Sequence, residues 1–398
     1  MLKKSNLRIV ALVVFALMLF VFVAGCQKTE APAEEPAEAP AEAPAEAPEE
    51  DVVVEGDTDI ENIQETEETH AVAFAHKSLN YYAFVAMLES TKLACEERGW
   101  TFDSAISDFD SSVQTNQIRT YIDSGEYDAI ISDPIDSEGI IEVFDQAKAA
   151  GIAVGVIDTP TTGGDIDFTI AFDNFQAGEL AAQTIVDTIM ANNGGVEEGV
   201  ILNPYGAMSS FAWRLRKEGF DAVMANYPGF TFEAVPAEGD PKKTNDAVVN
   251  TLTKYGRIDG CSAPSDNPGL GAVEALKAQN MWKKVGEEGH VVFVTIDGEP
   301  CAMQGIVDGY YDATVAQDCT CYGEICIEMF EKYVFKGEPC PTSGTYKNDR
   351  YAWEEAPFSE EACGSYLMPP AYVITAETVD DPRHWGNIAW NEYGLRYE

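Results

Sequence analysis

Short apolar runs in this chain end repeatedly in aspartate or an amide. Ala129-Ile130-Ile131-Ser132 runs into Asp133-Pro134, Val154-Gly155-Val156-Ile157 into Asp158-Thr159, and Thr169-Ile170-Ala171-Phe172 into Asp173-Asn174. Further on, Val292 to Ile296 meets Asp297-Gly298, and Cys261-Ser262-Ala263 leads to Ser265-Asp266-Asn267. Carboxylates, hydroxyls and amides set side by side accept hydrogen bonds from many hydroxyls at fixed angles. Taken singly, each aspartate is also a favoured helix N-cap or turn former. The series points to a ligand site, with Asp173-Asn174 read as a cap or crossover. Asn80-Tyr81-Tyr82-Ala83-Phe84 adds aromatic rings, which pack on the C–H faces of sugars and also fill ordinary cores.

The elements that must position these groups alternate. Strand candidates are 71–75, 128–132, 153–157, 168–172, 199–203, 231–235, 260–263 and 291–296, several of them continuously apolar as strands buried on both faces are. Amphipathic stretches at 83–98, 113–124, 138–150, 176–192, 209–226, 244–254, 270–279 and 323–336 read as helices between them. This predicts an α/β fold with two doubly wound parallel-sheet lobes, and in such sheets ligands bind beyond the carboxyl ends of the strands. That is where the aspartates fall.

Charge narrows the function classes. The 398 residues carry 68 acidic and 25 basic side chains, a net −43, which excludes nucleic acid because phosphate binding needs clustered Lys and Arg. It also argues against electrostatic attachment to anionic lipid. The four histidines form no HExxH and no GxSxG is present, which weakens zinc-protease and serine-hydrolase readings. Beyond Cys26 lie Cys95, Cys261, Cys301, Cys319, Cys321, Cys326, Cys340 and Cys363, an even set read as disulfides or buried thiols rather than a metal site. No cofactor is expected.

The first residues read as an address. Lys3, Lys4 and Arg8 precede an apolar run from Ile9 to Ala24, short for a membrane span and apt for a signal-peptide core. Val23-Ala24-Gly25-Cys26 resembles the bacterial lipobox, which implies cleavage before Cys26 and lipidation of its thiol. From 27 to 69 follows an acidic tether with prolines at 32, 36, 40, 44 and 48; a proline in every potential turn forbids helix.

In their order, these pieces resemble the ribose-type periplasmic-binding-protein family of sugar-binding lipoproteins serving ABC importers, from about residue 70 to 380. Asn80 to Phe84 matches its asparagine-and-aromatic segment, and Asp158 its ligand aspartate, with Thr159 where the family carries arginine. Arg214-Leu215-Arg216 before Gly219-Phe220 matches its arginine element and puts Arg216 in the ligand position. Ser265-Asp266 stands at an Asn-Asp pair, Asp297-Gly298 at a second ligand aspartate, and Gln317 at a ligand glutamine near the hinge. Gly239 falls where the ribose binders place a third aromatic, with Trp213 as a replacement; these departures imply a ligand other than ribose.

The resemblance implies a type I periplasmic-binding-protein-like pair of lobes: 70–172 plus about 318–345, and 173–317 plus about 346–398, closing on a hinge. Expected ligand residues are Asn80, Tyr81, Tyr82, Phe84, Asp133, Asp158, Arg216, Ser265, Asp266, Asp297 and Gln317. The expected activity is not enzymatic. It is capture of a small neutral sugar or polyol by a monomeric, lipid-anchored extracytoplasmic protein that delivers it to an ABC permease. The alternatives are a sensory protein for a chemoreceptor or kinase, and a surface carbohydrate-active enzyme using paired aspartates.

Overall fold

The computed structural model describes residues 52–57 and 68–395. The apolar run at 9–24, the lipidation candidate Cys26 and most of the tether lie outside the described residues.

In chain order, the first lobe is built from β1 (Val53–Glu55), β2 (Ala71–His76), α1 (Tyr82–Glu97), β3 (Thr101–Ile106), α2 (Ser111–Ser124), β4 (Ala129–Ser132), α3 (Ile141–Ala149), β5 (Ala153–Ile157) and β6 (Phe168–Ile170). The chain then crosses into α4 (Asn174–Asn192), β7 (Val200–Tyr205), α5 (Phe211–Met224), β8 (Thr231–Pro236), α6 (Pro241–Tyr255), β9 (Gly260–Ser262), α7 (Asp266–Ala278), β10 (Val292–Asp297), α8 (Pro300–Val307) and β11 (Ala313–Ala316). It returns for α9 (Cys319–Lys332), β12 (Thr345–Lys347), β13 (Glu355–Glu361) and β14 (Gly364–Leu367), and crosses a third time for β15 (Tyr372–Ile374) and α10 (Trp385–Asn391).

The result is a nine-stranded sheet, β1-β12-β13-β14-β6-β5-β4-β2-β3, and a six-stranded sheet, β15-β11-β10-β9-β7-β8. Strands β4, β5 and β10 are buried along their whole length, as their unbroken apolar runs require. Aspartates start several of the helices: Asp110, Asp173, Asp240 and Asp318 each accept hydrogen bonds from first-turn amides of α2, α4, α6 and α9. Asp173 is therefore a cap.

Two expected boundaries move. The tether does not run free to residue 69: Val54 is buried and β1 pairs in parallel with β12, while Asp57 accepts from Arg98 and Lys332. The segment expected in the second lobe from 346 onward instead forms β12 to β14 in the first, and only residues after the third crossing join the second. Pairing explains this. β14 lies parallel to β6, burying three of its four residues over what would otherwise be an open sheet edge.

All eight cysteines among the described residues are free thiols. Burial pushes Cys95 and Cys261 up to about 12, and such thiols are inert.

One packing contact bears directly on the site. Helices α4 and α5 touch backbone to backbone at Gly178 and Gly219. A Cβ on Gly178 would fall 2.0 Å from the Arg216 carbonyl, and one on Gly219 2.0 Å from that of Phe175. Only glycine at both positions lets α5 sit close enough to deliver Arg216 to the strand tips.

Candidate ligand-binding site

The carboxyl ends of both sheets face a cavity of about 590 Å³ between the lobes. Its floor and walls are two buried charge pairs joined by one glutamine.

Lys77 follows β2, and its Nζ donates to Asp158 Oδ2 at 2.6 Å and to Thr159 Oγ1 at 2.8 Å; Thr159 in turn donates to Asp158 at 2.7 Å. Burial works against the Asp158 charge, but Lys77, Thr159 and Arg216 together hold its carboxyl below the usual range. The cation that the family resemblance puts at 159 thus comes from 77.

Arg216, on α5, is almost fully used. Its Nε donates to Asn174 Oδ1 at 2.8 Å; Nη1 reaches the Pro264 carbonyl at 2.5 Å, and Ser265 Oγ and Asp297 Oδ1 at 3.0 Å; Nη2 donates to Gln317 Oε1. Burial raises Asp297 to about 6, with Arg216 opposing the rise and Asp158 adding to it. Gln317, at the second crossing, donates from Nε2 to Asp158 Oδ1 at 2.5 Å and to Tyr322 Oη at 3.0 Å. It therefore ties the two pairs together across the hinge.

Aromatic faces line both walls. Tyr81 stacks on Phe84 with centroids 5.1 Å apart, and Phe109 packs beside both. From the second lobe Trp213 lies against Gly239, where any Cβ would collide with its ring, and its Nε1 donates to Ser265 Oγ at 3.3 Å. Tyr81 Oη donates to the Gly239 carbonyl at 2.7 Å and Ser137 Oγ accepts from Phe211 N–H at 3.2 Å, so the lobes are in contact at the cleft.

Eight of the expected residues share this wall: Asn80, Tyr81, Phe84, Asp158, Arg216, Ser265, Asp297 and Gln317. Three do not. Asp133 lies beneath it, accepting the Lys77 backbone N–H at 2.9 Å beside His76. Asp266 accepts Glu299 N–H at 2.6 Å and Thr314 Oγ1–H at 3.0 Å, and burial together with the Asp297 charge pushes it up to about 8. Tyr82 turns away to donate to the Leu395 carbonyl. Backbone conformation separates the aspartates: Asp158 (φ 63°) and Asp297 (φ 126°) are in the positive-φ region, whereas Asp133 and Asp266 are not. Sequence reasoning missed Lys77 altogether. Its signal was position, since it occupies a strand tip as the aspartates do.

A two-lobed α/β receptor with its cleft at the strand tips defines the class. Residues 72–339 match the periplasmic binding protein domain family, and the chain belongs to it. It is similar to the ribose import binding protein RbsB of Bacillus subtilis, 27% identical over 257 residues covering 65% of this chain and 79% of that protein. The xylitol-binding protein of Mycolicibacterium smegmatis is 29% identical over 243 residues, 60% of this chain and 64% of its own. Among solved structures, an ABC transporter solute-binding protein from Bacillus halodurans with bound myo-inositol superposes with a TM-score of 0.65 at 20% identity, covering 80% of this chain and 99% of that one. That structure shares the two-lobed fold.

Proposed function

We propose that this protein captures a neutral sugar or polyol between its lobes and presents it to an ABC permease, held at the outer face of the cell membrane by a lipidated Cys26 and working as a monomer without a cofactor. The observation that carries this reading is charge balance inside the cavity. Lys77 cancels Asp158 and Arg216 cancels Asp297, and with Lys243, Glu238 and Asp240 also in the lining there is hydrogen-bonding capacity but no surplus of cations to recruit an anion. One Lys77 proton and the lone pairs that Arg216 and Ser265 leave on the Asp297 carboxylate serve ligand hydroxyls, and Phe84 and Trp213 offer faces for C–H groups. Turnover is not part of the proposal: the family is one of binding proteins, and Asp158, locked to Lys77, is a poor general acid.

The test is thermal shift of the mature chain across pentoses, hexoses, inositols, polyols and their uronate or aldonate counterparts, since a ligand selective for the folded state raises Tm by mass action. Neutral members should shift it and the acids should not. A shift only with the acids would sink the charge-balance argument. Cys26→Ser should move the chain from the membrane to the soluble fraction.

A further inference from the structure

Among the described residues, the chain beyond β15 adds no strand to either sheet, yet Trp385, the first residue of α10, is completely buried. Its indole Nε1–H donates to the main-chain carbonyl of Asp297 at 2.6 Å, and the same carbonyl accepts the Gln317 amide at 2.9 Å. Asp297 has φ 126°, a conformation that a residue with a Cβ keeps only where its surroundings hold it. The fit is close, since a Cβ on the neighbouring Gly386 would come within 3.0 Å of the Gly298 carbonyl.

The other end of this tail is fastened to the first lobe. Tyr82 packs against the Trp385 ring, with centroids 5.9 Å apart, and its hydroxyl donates to the Leu395 carbonyl at 2.6 Å. Arg350 donates to Glu392 at 2.8 Å, and Tyr393 donates to Glu324. Tyr82 adjoins Tyr81 in the cavity wall, so the tail touches the main chain of one wall residue, Asp297, and the side chain next to another, Tyr81.

We infer that Trp385 is a positioning residue for ligand capture: its N–H fixes the Asp297 backbone so that the carboxylate meets Arg216 and the cavity, while residues 385–395 strap that turn to the start of α1. The ligand arm of the test rests on the sugar or polyol reading; the first arm does not.

Trp385→Phe keeps an aromatic ring in the core and removes the donor. In hydrogen exchange of the mature, ligand-free chain, the amides of 297–299 and 317 should exchange about tenfold faster, the weight of one hydrogen bond, while β7 and β9 stay as in the wild type. Unchanged exchange at 297–317, or a uniform rise across both sheets, overturns the inference. For the ligand arm, titration calorimetry uses the panel member with the largest thermal shift. Trp385→Phe should weaken its binding about tenfold in the wild-type background and have little effect beside Asp297→Asn. Equal losses in both backgrounds would make Trp385 a packing residue only. If no panel member binds the wild type, the sugar reading fails and the exchange result still decides the role of Trp385.

Discussion

Lys77 meets Asp158 along one sheet, both side chains rising from strand tips with Asp133 holding the Lys77 amide between them. Arg216 reaches Asp297 from a helix, and its guanidinium is shared among five acceptors, so its place depends on how closely α5 approaches α4. The electrostatic outcome differs accordingly. A dedicated ammonium and a hydroxyl hold Asp158 below the usual carboxylate range, whereas burial, with the Asp158 charge adding to it, raises Asp297 to about 6 against the pull of a shared guanidinium. One wall carries a permanent acceptor and the other a titratable one.

Removing the cation of each pair tests that contrast. Arg216→Ala should cost about 3–5 kcal/mol in stability, because Asp297 is left buried and unpaired, and should abolish measurable ligand binding by calorimetry. A variant of wild-type affinity would remove the arginine pair from the site. Lys77→Met should cost less, about 2–3 kcal/mol, since Thr159 and Gln317 still donate to Asp158. Its ligand affinity should fall by a factor on the order of 50–100. If Lys77→Met binds as well as wild type, the lysine supports the fold alone.

Geometry is the next lever. Gly219→Ala places a methyl against the Phe175 carbonyl, so α4 and α5 must separate and Arg216 must withdraw. The expected loss is about 1–3 kcal/mol in denaturant unfolding, with weakened binding although no wall residue has changed. The corresponding change at an open glycine such as Gly309, where a Cβ meets nothing, alters the backbone strain but not the helix spacing, and should leave affinity intact.

Much of this was legible in the sequence, for physical reasons. Strands buried on both faces must be apolar throughout, so β4, β5 and β10 and the polar groups at their tips stood out. The strands β12 to β14 did not, because β13 alternates buried and exposed residues and its place depends on pairing that ends at β6, far earlier in the chain. Within the site, Asp133 and Asp158 look alike on paper. Among the strand-tip aspartates, positive φ sets the cavity residues Asp158 and Asp297 apart from the supports Asp133 and Asp266, and no local pattern announces it. Lys77 was hidden for a related reason, since a lysine after a strand ordinarily extends into solvent, whereas this one is buried.

The smallest expected effect is also the one that best separates the two walls, and it comes from pH alone. Asp297 is raised to about 6 and Asp266 to about 8, so both take up protons in the folded state at pH values where the unfolded chain has already lost them. Ligand-free stability should therefore fall as pH rises from about 4 to 8, the reverse of a carboxylate stabilised by a cation. Asp158 has the opposite sign, and its contribution is lost only when pH drops below the ordinary carboxylate range. Ligand affinity should run against stability over the same window. Protonating Asp297 removes its acceptor capacity, so binding should weaken roughly tenfold between pH 7 and pH 5, the span over which a group titrating near 6 loses most of its charge. Calorimetry at the two pH values, repeated on Asp297→Asn, provides the check: the variant should bind weakly at both and show no slope. A slope that survives in Asp297→Asn would move the titrating group elsewhere and leave the two walls electrostatically alike.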